Sequence, residues 1–277
     1  MATRKKTAPR ITPPFGYGAV APLQKTDKVL LPAPGATPEF CRSTNALALS
    51  FSEFNAAARD YPIVFTSADA GKTYAPLIVL GLADAQNLFV DAAGAWDATA
   101  YVPAFVRRYP FCISMLEVAQ EQRVEKVVCI ASAHVNRRGV PLFDAAGRPT
   151  PQWQAAEQLL QDYQRDLEVT ARMCATFADL GLFSPFTFQV RQGEASELKL
   201  QGMHRIDEPK LKALEPAKLA ALVTQGLMGK IYAHMHSLEN FARLYQRAVA
   251  RAQVKPKRKR AKPLKRGKTG AYAVSKA

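Results

Sequence analysis

The stretch WQAAEQLLQDYQRDLEVTARMCATF, from Trp153 to Phe177, carries the strongest periodicity in the chain. Its apolar or small residues recur in alternating steps of three and four positions, which places them on one face of an α-helix. These residues are Trp153, Ala156, Leu160, Tyr163, Leu167, Thr170, Cys174 and Phe177. The pattern predicts a long helix with one buried face, which Gly181 ends.

Short segments rich in Val, Ile and Phe lie on both sides of this helix and are typical of β-strands, because Gly, Asp or Pro bounds each of them. They cover residues 63–65, 77–82, 87–91, 112–115, 126–131, 186–191 and 198–205. Few of the gaps between them could hold the crossover helix that a parallel pair requires. We therefore expect antiparallel pairing.

Four more helices are predicted, most of them from capping residues, proline positions and apolar spacing. Three are short: two cover residues 53–59 and 103–109, and one is capped by Asp207 and entered through Pro209. The fourth is long, over residues 216–251, and has an apolar stripe. The stripe consists of Val223, Leu227, Ile231, Leu238, Phe241 and Tyr245.

Together these elements predict a single α+β domain, in which a mostly antiparallel sheet packs against two long helices of the C-terminal half. We place this domain at residues 41–250. Residues 1–40 are rich in Pro, Lys and Thr, and we expect them to form an extended basic arm along the domain. Residues 251–277 are predicted to be a disordered tail rich in Lys and Arg.

The net charge of +15 is concentrated at the two ends of the chain. Residues 1–10 carry four of the 38 basic residues and residues 251–277 carry eleven, and neither end has an acidic residue. The 23 basic residues that remain in residues 11–250 balance all 23 acidic ones. The folded domain is therefore formally neutral, and its function does not depend on a globally positive surface.

The tail holds a dense cluster of cations without aromatic residues. Its members are Lys255, Lys257, Arg258, Lys259, Arg260, Lys262, Lys265, Arg266 and Lys268. One interpretation is non-specific nucleic-acid binding, because a polycation binds phosphate backbones without sequence preference. The other is a solvated tail that only aids solubility, and the sequence favours neither.

The Cys and His residues predict neither a metal site nor a cofactor. The four cysteines lie far apart and form no CxxC pair, so we expect them to be free and buried. They are Cys41, Cys112, Cys129 and Cys174. His234 and His236 would point about 200° apart on a helix and could not share a metal. We expect His234 to be a hydrogen-bonded core residue.

The sequence also predicts a cytoplasmic protein with no membrane span. Prolines interrupt residues 1–31, which excludes the continuous apolar segment of a secretory signal. Apolar runs such as residues 76–82 are too short to cross a bilayer.

An ordered series of short motifs across residues 45–247 resembles the bacterial SapC family. The series is YPIVF at 61–65, GL at 81–82, NLFV at 87–90, Trp96, YVPA at 101–104, RRYPF at 107–111, LFD at 142–144 with Gly147 and Pro149, Gly202, ID at 206–207, YA at 232–233 and SL at 237–238. The specific feature is the order of these motifs along the chain.

The resemblance implies a role linked to the cell envelope. The family takes its name from genes connected with a bacterial surface-layer system, and its members are often described as related to the S-layer or to peptide transport. The family has no agreed catalytic residues, so the resemblance assigns none to this chain.

The arginine pair of the RRYPF motif, Arg107 and Arg108, is the strongest candidate for a ligand site in the domain. A helix over residues 103–109 lasts about two turns, so both arginines lie in its last turn, where the helix dipole favours cations. Adjacent helix positions differ by about 100°, so the two side chains point different ways. We expect one to pair with an acid such as Asp91 or Asp144, and the other to face a cleft that receives an anionic group.

Two functions are consistent with these observations. The favoured one is a non-catalytic accessory or binding protein that holds a protein or peptide partner of the cell-envelope system. The alternative is an enzyme whose site is assembled around Arg107, Arg108, Tyr61 and Asp144, although an Asx-type turn is the favoured role of Asp144. A concave site with convergent polar groups is expected of an enzyme, whereas a groove or a sheet edge is enough for a binding module.

Overall fold

The β-strands of the protein all pair antiparallel with their neighbours in the computed structural model, which describes residues 10–118, 123–192 and 196–254. This pairing confirms the antiparallel prediction. In chain order the described strands are β1 (Arg10–Ile11), β2 (Val20–Pro22), β3 (Lys28–Val29), β4 (Ala46–Ala48), β5 (Ile63–Thr66), β6 (Ala75–Val79), β7 (Phe111–Val118), β8 (Arg123–Ala131), β9 (Val140–Pro141), β10 (Phe183–Gln192) and β11 (Ser196–Ile206).

The described strands form three sheets rather than one. A five-stranded sheet has the order β10-β11-β5-β6-β4, a four-stranded sheet has the order β1-β7-β8-β2, and β3 pairs with β9. The outer strands of the four-stranded sheet come from the N-terminal segment. Arg10 lies opposite Glu117 and Val20 lies opposite Ala131, so backbone ladders join this segment to the domain.

Helices pack against these sheets, and the predicted α+β class is confirmed. The described α-helices are α1 (Phe54–Ala57), α2 (Ala104–Arg107), α3 (Pro151–Asp179), α4 (Glu208–Lys212), α5 (Pro216–Thr224), α6 (Met228–Ser237) and α7 (Asn240–Val254). Single 3-10 turns cover Glu39–Ser43, Phe51–Glu53 and Ser132–His134.

Helix α3 is the long helix that the apolar periodicity predicts, and it runs for 29 residues. The Thr150 side chain caps its start by accepting a hydrogen bond from the amide of Trp153. Its buried residues are Trp153, Leu160, Tyr163, Thr170, Met173, Cys174 and Phe177. The helix contacts β6 of one sheet and β7 of the other, so its apolar face joins the two larger sheets.

The prediction of one long helix over residues 216–251 is wrong, because this region folds as α5, α6 and α7. Gly226 adopts a φ of +69°, a left-handed conformation that ends a helix and that glycine tolerates best. The break also changes which side of α5 is buried. Val223 of the predicted stripe is 62% exposed, whereas Ile231 and Phe241 beyond the break are buried as predicted.

The predicted strand at residues 87–91 is also wrong, since this segment is a loop. Asn87 supplies the reason. Its side-chain amide donates to the carbonyl of Cys41 at 2.7 Å, and its side-chain oxygen accepts from the amide of Phe89 at 2.8 Å. These side-chain hydrogen bonds use backbone groups of the segment and compete with the backbone bonds of a strand ladder. In the described part of the chain, the segment keeps an isolated bridge between Val90 and Trp96.

Most of the core is one hydrophobic cluster that contains Tyr61, Phe65 and Phe177. A smaller cluster surrounds Phe111 and Trp153. Every helix in the described part of the chain is too short or too polar to cross a bilayer.

Candidate ligand-binding site

A concave cavity of about 450 Å³ lies between the proline-rich segment 31–38, helix α2 and helix α3. We call this segment the arm segment. On the side opposite the arm segment, the cavity is lined by Trp96, Val102, Val106, Arg107, Arg108, Tyr109, Pro110, Phe111, Ala156 and Leu159. Both arginines of the RRYPF motif therefore reach the same cavity, whose remaining lining is mostly apolar.

The arm segment is held in place at its start by His134. The amide of Leu30 donates to the backbone carbonyl of His134 at 2.9 Å, and the Nδ1 atom of His134 lies 2.6 Å from the carbonyl oxygen of Leu30. A carbonyl only accepts, so Nδ1 carries the hydrogen and Nε2 accepts from the hydroxyl of Tyr109 at 3.0 Å. Tyr109 thus connects the arm segment to the end of α2.

Helix α2 is only four residues long, and a buried carboxylate fixes its start. The amide of Ala104 donates to Oε1 of Glu53 at 2.6 Å. The hydroxyl of Tyr101 donates to the same oxygen at 3.0 Å. At the other end of the helix, Arg108 is the C-cap residue. The position of Arg108 in the cavity wall therefore depends on Glu53 as well as on the local sequence.

The guanidinium of Arg108 is buried among aromatic rings, and the residue is only 8% exposed. Its Cζ atom lies 4.6 Å from the ring centroid of Tyr163, 4.7 Å from that of Phe105 and 5.5 Å from that of Tyr17. These distances are typical of cation–π contacts. The Nε atom is buried and has no hydrogen-bond partner.

The charge of Arg108 has no counter-ion, since none of the carboxylates in the described residues lies within ion-pair distance. The neighbouring phenols cannot take that role. Burial raises the pKa of Tyr17 above its usual range and that of Tyr163 to about 12, against the opposing effect of the Arg108 charge. Both phenols therefore stay neutral. A buried charge without a partner is costly, and an anion in the cavity would offset that cost.

A second residue with an unpaired polar atom lines the same cavity. Within the described residues, three buried side-chain polar atoms have no hydrogen-bond partner, namely Nε of Arg108, Oγ1 of Thr37 and Nδ1 of His204. Thr37 and Arg108 both line the cavity. Because buried polar groups are normally paired, two unpaired ones in one cavity indicate a ligand site.

Arg107 differs from Arg108 in being exposed, and it lies at the rim of the cavity. Its Nε donates to the carbonyl of Val102 at 3.0 Å and its Nη2 to the hydroxyl of Tyr101 at 3.2 Å. Arg107 and Leu159 also line a neighbouring cavity of about 380 Å³ next to Glu53. The prediction that one arginine pairs with Asp91 or Asp144 is wrong. Backbone and phenol oxygens hold Arg107, and aromatic rings hold Arg108.

Tyr61 and Asp144 do not belong to this cavity. Tyr61 is fully buried in the core, where its hydroxyl donates to the carbonyl of Tyr101 and accepts from Nε1 of Trp96 at 3.1 Å. It supports two residues near the cavity without lining it. Asp144 is in a turn, where it accepts from the amide and from Nε of Arg148 at 2.9 and 2.8 Å. These bonds lower the pKa of Asp144, and the Asx-type turn is the role that the structure gives it.

The cysteines and the core histidine occupy buried positions. Cys41, Cys112, Cys129 and Cys174 are buried and free. His234 accepts from the amide of Ile206 at 3.0 Å through Nε2, and its Nδ1 lies 2.9 Å from the carbonyl oxygen of Ile63. It is the hydrogen-bonded core histidine that the sequence predicts. In the part of the chain that the structure describes, no three His, Cys, Asp or Glu residues come together as a metal site would require.

Sequence reasoning identified the arginines but missed Thr37, Trp96 and His134 as parts of the site. Nothing in the local sequence marks Thr37, which stands among prolines in the arm segment.

The nine cations predicted to bind nucleic acid, from Lys255 to Lys268, lie outside the described residues.

One protein-family model, described as SapC, matches residues 30–244 of the chain. The matched region contains the arm segment, helix α2 and helix α3, and hence all walls of the cavity. No curated protein and no solved structure matches the chain.

Proposed function

We propose that this chain, which belongs to the SapC family, is a non-catalytic binding protein that holds its partner through an anionic group in the cavity beneath the arm segment. The observation that carries the proposal is the buried guanidinium of Arg108, a residue that lines the cavity, has no counter-ion in the described residues and has an unpaired Nε. Arginine binds carboxylate and phosphate groups through charge-assisted hydrogen bonds.

The size and lining of the cavity support the same proposal. A volume of about 450 Å³ lies in the range of small-ligand sites, which are mostly apolar and have a few placed polar groups. It accommodates the end of a partner molecule and not a folded domain. We place the partner in the cell-envelope system, as the family resemblance implies, and the protein itself in the cytoplasm.

The proposal can be tested by thermal unfolding with benzoate, a small apolar carboxylate. A ligand that binds only the folded state raises the melting temperature by mass action. Sodium benzoate, compared with sodium chloride at equal ionic strength, is expected to stabilise the wild type and not Arg108→Lys. Arg138→Lys, an exposed arginine away from the cavity, is the matched control and should respond like the wild type. An equal response of all three proteins would contradict the proposal, because the anion would then act elsewhere.

An enzyme is the second candidate, and a concave site of this kind is also what an enzyme would have. The hydroxyl of Tyr109 lies 3.0 Å from Nε2 of His134, and Tyr109 lines the cavity. Such a pair can move a proton between a bound molecule and the imidazole. Tyr109→Phe tests this candidate, since it removes the hydroxyl through which such a pair would move the proton and would abolish turnover of an enzyme.

We also propose that residues 255–268 bind nucleic acid without sequence preference. Truncation for this test should follow Val254, because Arg251 donates to the carbonyls of Asn87 and Val90 at 2.5 and 2.6 Å and so fixes α7 to the domain. Binding should fall steeply with salt and vanish in the truncated protein. Binding that survives truncation at physiological salt would contradict this assignment.

A further inference from the structure

We infer that the anionic group received by the cavity is the C-terminal carboxylate of a peptide with apolar side chains in its last residues. This inference rests on the proposed function and names the ligand class for the same site. Three features of the cavity support it: the number of unpaired polar atoms, the apolar walls and the backbone of the arm segment.

The unpaired polar atoms suit a carboxylate. Nε of Arg108 and Oγ1 of Thr37 are two buried atoms without partners in the described residues, they belong to residues that line the cavity from opposite sides, and both can donate a hydrogen bond. A carboxylate presents two oxygens, whereas a phosphate monoester presents three and carries more charge into the same apolar space. Arg107 at the rim adds a second positive charge, and the lining residues that the structure describes include no acidic one.

The walls suit apolar side chains. Trp96, Val102 and Val106 face the cavity from the domain, and Leu31 faces it from the arm segment. Burial of apolar surface contributes about 25 cal/mol per Å², so one or two apolar side chains would provide much of the affinity. A small polar acid such as acetate would leave these walls without contact.

The backbone of the arm segment suits a peptide. Its prolines have no amide hydrogen, and the amide of Ala36 bonds to the carbonyl of Ala33 in a turn. In the described part of the chain, the amides of Leu31, Gly35 and Thr37 have no backbone partner. A peptide brings main-chain carbonyls that can accept from such amides, which a free fatty or aromatic acid does not.

The test uses two synthetic peptides on the full chain, acetyl-Gly-Leu-Phe with a free carboxylate and the same peptide with a C-terminal amide. Binding is measured by titration calorimetry and by tryptophan fluorescence, to which Trp96 of the cavity lining and Trp153 both contribute. The acid should bind, and the amide should bind about tenfold more weakly or worse, because one charge-assisted hydrogen bond is worth at least that factor. Phenyl phosphate and benzoate serve as non-peptide anions.

Four variants locate the binding. Arg108→Lys should lose about tenfold in affinity for the acid, since it keeps the charge but loses Nε. Thr37→Val should lose about threefold, because only the hydroxyl is removed. Ala156→Leu narrows the cavity from α3 and should abolish binding without removing a polar group. Arg138→Lys should bind like the wild type. Thr37→Val and Ala156→Leu decide the matter if Arg108→Lys does not fold.

The possible outcomes separate the inference from the proposed function. Equal affinity of acid and amide would overturn the inference. So would binding of benzoate or phenyl phosphate, dependent on Arg108, together with no binding of the peptide acid, although the proposed function would then stand. If no anion binds in a way that depends on the cavity variants, both are wrong.

Discussion

Two charged side chains are buried at opposite ends of helix α2, and they differ in how far their polar atoms are hydrogen-bonded. Glu53, 3% exposed, lies at the start of the helix, and Arg108, 8% exposed, lies at its end. The carboxylate of Glu53 accepts hydrogen bonds from Ala104 and Tyr101 and, at 3.1 and 2.7 Å, from the amide and hydroxyl of Ser50. The guanidinium of Arg108 has aromatic neighbours, no counter-ion in the described residues and an unpaired Nε.

The difference separates a buried charge that the fold satisfies from one that it leaves partly unsatisfied. Four donors replace the water that Glu53 loses on burial, so the fold can hold this carboxylate at low cost. Nε of Arg108 is desolvated without such replacement in the described residues, and buried polar atoms in protein interiors are seldom left unpaired. On this basis we propose that Glu53 positions the site and that Arg108 binds the ligand.

The largest effect is expected for Glu53→Ala. The substitution leaves the amides of Ala104 and Ser50 and the hydroxyl of Tyr101 without their acceptor, and removing one member of a buried charged network costs about 3 to 5 kcal/mol. Urea denaturation should show this loss in the free energy of unfolding. The exposed Glu39 is the matched control, and Glu39→Ala should leave the unfolding curve nearly unchanged. Similar curves for both variants would show that the Glu53 network is not structural.

Glu53 also shows where sequence reasoning stops. The Trp153 to Phe177 stretch predicts α3 because its periodicity is local and long, and the Val-rich segments predict most strands for the same reason. Ser50 is a local partner of Glu53, but its other two partners are 48 and 51 residues away along the chain at Tyr101 and Ala104, a separation that no local pattern encodes. The breaks at Gly226 and Asn87 were missed because one residue's backbone or side-chain bonds overrode an apolar pattern.

The sequence marks the arginine pair, and it does not mark the residues that surround the pair. The RRYPF motif places two cations at the end of a short helix, which is visible in the sequence. The side chain of Arg108 is covered by the rings of Tyr17, Phe105 and Tyr163, which come from three separate parts of the chain. The motif alone therefore does not predict its burial. Thr37 enters the site only because the arm segment crosses α2.

A third buried ionisable group, His234, tests the rule that a satisfied buried group is structural. Burial lowers its pKa from 6.5 to about 4, so the folded ring stays neutral while its two nitrogens bond to Ile63 and Ile206. Between these two pKa values the unfolded chain binds a proton that the folded chain does not bind. Stability should therefore be complete above pH 6.5 and fall as the pH decreases towards 4, by an amount on the order of 3 kcal/mol.

Urea denaturation at a series of pH values measures this loss. The exposed His236 is the control, and His236→Asn should show the same dependence as the wild type. His234→Asn should be less stable at neutral pH and should lack most of the decline between pH 6.5 and 4. A decline of unchanged size in His234→Asn would assign it to other groups.

A smaller effect is expected for Tyr109→Phe, which removes the hydrogen bond to His134 that holds the start of the arm segment. A single neutral hydrogen bond contributes about 0.5 to 1.5 kcal/mol, and the ring itself stays in place against Phe40 and Tyr17. The melting temperature should drop slightly. Proteolysis within residues 31–38 should become faster, because the arm segment loses one of its attachments. An unchanged proteolysis rate would show that Tyr109 does not hold the arm segment.

The smallest effect on stability is expected for Arg108→Met, and it is the other half of the comparison with Glu53. Methionine fills most of the same volume and removes a buried charge that has no counter-ion in the described residues. Loss of the cation–π contacts with Tyr163 and Phe105 opposes this gain, at about 0.5 to 2 kcal/mol. The two changes should nearly cancel, so the free energy of unfolding without ligand should shift by less than about 1 kcal/mol in either direction.

With benzoate present the wild type should gain stability and Arg108→Met should not, which makes the difference between the two proteins dependent on ligand. If Arg108→Met costs as much as Glu53→Ala in the absence of any ligand, the guanidinium is part of the core and the distinction between the two ends of α2 is wrong.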